Sequence, residues 1–174
     1  MHPFTLLPLL LPLLLPTLTL SSPLSPRQPN PCIPTSYTIT DFHYTSSPSS
    51  GAHIAFTFHS SFPDLSIIDD AAASTTGTLC EANSAPGTPI PNSNVCVTGR
   101  RNLVFELRGS QERADFQVVH GWRCGGQEWL SSTHRKIDPL SCSLDVAGTL
   151  RCTSTQNSFQ PENVRRICAT PTCP

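Results

Sequence analysis

Residues 53–59 read HIAFTFH, a strict alternation. Ile54, Phe56 and Phe58 fall on one face; His53, Ala55, Thr57 and His59 fall on the other. Period two, carried by β-branched and aromatic side chains, specifies a half-buried strand. Upstream, residues 37–44 (YTITDFHY) have the same composition and are joined to it through the turn cluster SSPSSG. Downstream, residues 102–108 repeat the pattern, with Leu103, Phe105 and Leu107 inward. Residues 109–114 (GSQERA) form a polar turn, and residues 116–123 (FQVVHGWR) run back. Residues 128–135, 141–145, 149–154 and 164–168 are further short strands. Residues 65–73 (LSIIDDAAA) suit one helical turn, and no stretch carries a helical stripe.

Short strands separated by turn signals every ~8–12 residues predict an all-β fold. The expected architecture is a single antiparallel β-barrel or sandwich, stapled by disulfides. Alternation implies one buried face per strand, unlike the doubly buried strands of α/β folds.

Eight cysteines reinforce that reading: Cys32, Cys80, Cys96, Cys124, Cys142, Cys152, Cys168 and Cys173. An even count behind a secretory leader implies four disulfides. Cys80 and Cys96 bracket a turn-rich segment; a loop of ~15 residues closed in this way is worth roughly 3 kcal/mol on the chain-entropy view. Cys142 and Cys152 bracket a strand–turn–strand hairpin. Cys32, Cys124, Cys168 and Cys173 share the two remaining bridges, in an order that spacing leaves open. The absence of CxxC and of zinc-ligand Cys/His spacing argues against a metal site. Without a Cys-Cys doublet the chain is not a hydrophobin, and without an N-terminal histidine on the mature chain it is not a copper polysaccharide oxygenase.

The leader is residues 1–21. Its segment 6–20 is Leu-, Pro- and Thr-rich, uncharged, and too short and Pro-interrupted to span a membrane, so it reads as a signal peptide. Residues 22–31 (SPLSPRQPNP) form a Pro-rich flexible arm. Residues 32–174 are then one disulfide-rich domain, secreted and extracellular. Of the chain's 174 residues 13% are charged and the net charge is -1, which argues against a nucleic-acid binder. No membrane partner and no cofactor are expected. No N-x-[ST] sequon is present.

Several residues can carry chemistry. With a turn over residues 45–51, His43 would oppose His53 on the polar face, with His59 further along; two histidines without a third ligand make a poor metal site. His120 with Glu106 and Arg108 can be read as an acid–base and phosphate-stabilising set, as in a small secreted nuclease. Against that, Glu106 and Arg108 alternate outward, while His120 shares a face with Phe116, Val118 and Trp122, the parity of a core histidine. Trp122 reads as core; Trp129 is open to stacking on a sugar or phenolic ring. Ten of the eleven basic residues follow position 99, and ten of the eleven are Arg, a skew suited to carboxylate or phosphate partners. Arg100-Arg101, Arg135-Lys136 and Arg165-Arg166 are dibasic.

Residues 39–42 (ITDF), 78–80 (TLC), Val95-Cys96 and the Cys142…Leu150-Arg151-Cys152 hairpin resemble the fungal secreted β-barrel family typified by the Alternaria major allergen. The resemblance covers roughly residues 37–154. It implies secretion by a filamentous fungus and no enzymatic active site. It also implies allergen or effector activity, association with a small phenolic ligand, and a possible homodimer through an N-terminal cysteine, for which Cys32 is the positional match. The extra Cys124, Cys168 and Cys173 can instead bridge Cys32 within one chain. The function expected is therefore binding of a host protein or a small aromatic ligand. A nuclease-like hydrolase and a structural wall or spore protein are the alternatives. An apolar interior favours binding; a cleft joining His120 to a carboxylate favours the enzyme.

Overall fold

The computed structural model describes residues 30–168. The expected signal peptide at residues 1–21, nearly all of the expected Pro-rich arm at 22–31, and Cys173 lie outside the described residues. Among the described residues there are eleven strands: β1 Ser36–Ser47, β2 Gly51–Ser61, β3 Ile68–Asp69, β4 Thr78–Asn83, β5 Asn94–Val95, β6 Leu103–Leu107, β7 Asp115–Cys124, β8 Gln127–Lys136, β9 Ser141–Leu144, β10 Leu150–Phe159 and β11 Arg165–Ile167. Short 3-10 turns occupy Ala71–Ala73 and Gln111–Arg113.

The strands make two antiparallel sheets, ordered β4-β2-β1-β10-β9 and β11-β8-β7-β6-β5, with β3 pairing the end of β7. The fold is therefore the sandwich form of the expected all-β architecture. Phenylalanines from both sheets interlock between them. Phe56 of the first sheet meets Phe105 and Phe116 of the second at 5.1 and 5.5 Å between ring centroids, and Phe42 meets Phe116 at 5.8 Å. These edge-to-face contacts add about 0.5–1.5 kcal/mol each to the apolar burial.

The parity of residues 54, 56 and 58 holds: all three are buried, as are Leu103, Phe105 and Leu107. The opposite face of β2 is less wet than alternation implies. Ala55 is buried, and His53, Thr57 and His59 are half-buried, because β1 and β4 flank this central strand on both sides.

In β1 the inward residues are Tyr37 and Ile39, then Phe42 and Tyr44. The step between the two pairs is a bulge at Asp41, whose φ of 53° is a left-handed value that Asp tolerates. The partner β10 shifts likewise, burying Cys152 and Ser154, then Asn157 and Phe159. The β1–β2 turn is tighter than the sequence suggests. Only Pro48, Ser49 and Ser50 separate the paired Ser47 and Gly51, and Gly51 takes a φ of 82° that favours glycine. His43 consequently faces Ala55 and His53 faces Thr45. The expected His43–His53 opposition is corrected to a diagonal contact, with ring centroids 5.2 Å apart.

Cys32–Cys124, Cys80–Cys96 and Cys142–Cys152 are bridged. Cys80 lies in β4 and Cys96 just beyond β5, so their bridge ties one sheet to the other. Cys142 and Cys152 face one another across β9 and β10. Cys168 is also disulfide-bonded. Unfolded without reductant, the protein is expected to titrate no free thiol; two reactive thiols would refute a four-bridge framework.

Candidate functional site

Strand β7 places Phe116, Val118, His120 and Trp122 toward the core and Gln117, Val119, Gly121 and Arg123 on the outer face. Among the inward residues, His120 anchors a polar network. Its Nδ1 lies 3.1 Å from the Tyr37 hydroxyl, which lies 2.6 Å from Ser131 Oγ. Its Nε2 is 3.1 Å from Asp70 Oδ2, a close pair whose approach is off the N–H axis. Asp70 also accepts a hydrogen bond from Ser60 Oγ at 2.5 Å and from the Ala72 backbone N–H at 3.0 Å, capping the 3-10 turn.

Burial alone would push the Asp70 carboxyl up. The contact with His120, the charge of its ring, and the Ser60 and Ala72 donors outweigh burial and hold it below the usual value. Tyr37 is pushed well up, chiefly by burial, with Ser131 opposing and the Asp70 charge adding. The His120 and Asp70 side chains are both 0% exposed. A histidine is therefore joined to a carboxylate, but inside the sandwich rather than in a cleft.

Glu106 and Arg108 stand on the far side of the same sheet. Glu106 accepts from Ser93 Oγ at 3.1 Å and lies 3.6 Å from Arg108. The set His120, Glu106 and Arg108 is thus not assembled, because strand parity sends its members to opposite faces. The partner missed by the sequence reading is Asp70. It lies in a segment that read as one helical turn, and nothing local ties it to position 120.

Trp122 is buried, and its Nε1 donates to the Cys32 carbonyl at 3.0 Å. It stacks on His120 at 5.2 Å and on Trp129 at 6.4 Å. Trp129 is half-buried, stacks on Trp122 within this column and also lines the groove on the outer face of the sheet. His53 Nε2 lies 3.0 Å from Glu81 Oε1 beside His43. Among the described residues, no cluster of three His, Cys, Asp or Glu is placed to hold a metal.

Outside, the second sheet carries a groove of about 400 Å³ whose lining includes Gly121. A glycine in a strand leaves a dent where a side chain would stand. The walls are apolar: Val104, Val119, Leu130 and Ile167, with the edges of Trp122 and Trp129 beside them. Arg100, Arg101, Arg123 and Glu128 form the rim. Arg100 is committed to Asp69, at 2.7 Å from both its carboxylate and its carbonyl, and Arg123 to Glu128. Arg101 has no carboxylate partner among the described residues. Asn102 faces Gly121, donating from Nδ2 to the Gly121 carbonyl, and the Gly121 N–H returns to the Asn102 carbonyl at 2.7 Å. Its Oδ1 is buried with no hydrogen-bond partner.

Together these features define a disulfide-stapled antiparallel β-sandwich with a sealed polar network inside its apolar core and an arginine-rimmed outer groove. No protein-family model matches the chain, and no curated protein matches it. Among solved structures it is similar to a crystal structure of the Alternaria alternata major allergen Alt a 1, at 11% identity and a TM-score of 0.47, covering 78% of this chain and 96% of that one. A second crystal structure of the Alternaria alternata allergen Alt a 1 matches at 9% identity and a TM-score of 0.41, covering 78% and 91%.

Proposed function

We propose that the protein is a secreted, effector- or allergen-like binding protein without catalytic activity, and that the Gly121 groove receives a small aromatic ligand. The observation that carries this reading is the dent over Gly121, an open concavity with apolar walls that include Trp129 and a polar rim, the general character of a small-molecule site. The groups suited to proton transfer, His120 and Asp70, have no exposed side-chain surface from which to reach a substrate. The cysteine framework and the leader support action outside the cell. With Cys32 committed to Cys124, a covalent homodimer through Cys32 is set aside.

The test fills the dent. The atoms nearest a Cβ at position 121 would be the Trp129 carbonyl at 3.5 Å, the Asn102 carbonyl at 3.6 Å and the Asn102 Cβ at 3.8 Å, all ordinary contacts. Gly121→Leu should thus preserve the fold while occupying the groove. Calorimetric titration with 2-naphthol, a neutral ring probe, is expected to show saturable binding that weakens at least tenfold in Gly121→Leu. Binding of equal strength in the variant would move the site elsewhere.

A further inference from the structure

Resting on the reading of the Gly121 groove as a ligand site, we propose that its natural ligand is a small carboxylic acid with an apolar body, and that Arg101 receives the carboxylate. Three features of the groove converge on this. Of the three arginines lining the groove, two are neutralised in place, Arg100 by Asp69 and Arg123 by Glu128. Arg101 alone carries an uncompensated guanidinium there. Arginine presents a planar fork that matches a carboxylate with two parallel hydrogen bonds.

The backbone at Arg101 is the second feature. Its φ is 56°, in the left-handed region where a long side chain is costly to hold. Such positions persist where the surroundings over-determine them, often at ligand clamps. Here Arg101 is immediately followed by Asn102, which is locked to Gly121 by the reciprocal bonds to that residue's backbone. The loop that carries the guanidinium is thus pinned to the groove floor.

The third is the apolar lining beside that guanidinium, where Val104, Val119 and Leu130 stand with Trp129. The fitting molecule therefore bears a carboxylate toward Arg101 and a ring or short chain against those side chains. The walls provide apolar contact; the arginine provides selection by charge.

The experiment compares 2-naphthoate with 2-naphthamide, equal in shape and different in charge, on the folded, disulfide-intact protein. The acid is expected to bind at least tenfold more tightly than the amide, and the advantage should shrink as salt is raised. Arg101→Asn removes the cation and keeps a residue that accepts the left-handed backbone. In that variant the two probes should bind alike. Equal binding of acid and amide to the unaltered protein, with both lost in Gly121→Leu, would overturn the carboxylate inference and leave the groove reading standing. Acid binding that survives Gly121→Leu, or no binding of either probe to the unaltered protein, would overturn both.

Discussion

Asp70→Asn is expected to lower the free energy of unfolding by about 1–3 kcal/mol at neutral pH, as leaving buried donors without their acceptor does. The carboxylate is the common acceptor for Ser60 Oγ and the Ala72 N–H, and it faces His120 Nε2. With those side chains sealed from water, their lost partner is not replaced by solvent. The same substitution should change the response to acid. Asp70 has a folded pKa below its ordinary value of 3.8, so its stabilising contribution is complete above that value and is lost as pH falls through the lower folded value. Denaturant unfolding followed by the emission of Trp122, which stacks on His120, measures both effects. The unaltered protein should lose stability below about pH 4, and the Asp70→Asn protein should lose less over the same interval. Equal stability of the two proteins at neutral pH would contradict the network described.

Phe56→Ala should cost about 3–5 kcal/mol, the usual penalty for truncating a buried aromatic. Phe56 touches Phe42 in its own sheet and Phe105 and Phe116 across the interface, so the vacated space lies where the two sheets meet. Thr57→Ala, one position along on the half-buried outer face, should cost far less. Comparable losses at 56 and 57 would break the facing of β2.

That facing was legible because hydrophobic burial writes itself into period two wherever a strand is regular. Residues 54, 56 and 58 and residues 103, 105 and 107 carried it without ambiguity. It failed where the backbone departs from regularity. The bulge at Asp41 resets the parity of β1, so residues 39 and 42 share a face that their spacing denies. Strand β10 runs on to Phe159 through residues whose inward positions are Ser154 and Asn157, which bear no hydrophobic signal. The inward positions of β4 are Thr78, Cys80 and Ala82, too small and too polar to stand out.

The candidate site was harder to read for a different reason. Gly121 looks like a flaw in a strand until its neighbours on β6 and β8 are known. The freedom of Arg101 becomes visible only when Asp69 and Glu128 have claimed the arginines beside it. Likewise, the parity of His120 pointed to the core, but its partner comes from Asp70, whose position follows from chain tracing and not from spacing.

The bridge between the sheets has one more consequence. Cys80–Cys96 encloses residues 81–95, much of which is exposed on the surface. Hydrolysis of a peptide bond inside that ring divides the polypeptide without freeing a fragment, since both new ends remain tethered through sulfur. The surface built on residues 100–104 would stay attached to the half of the molecule that carries residues 36–61. Persistence after proteolytic damage would then follow from how the chain is connected, independently of how stable it is.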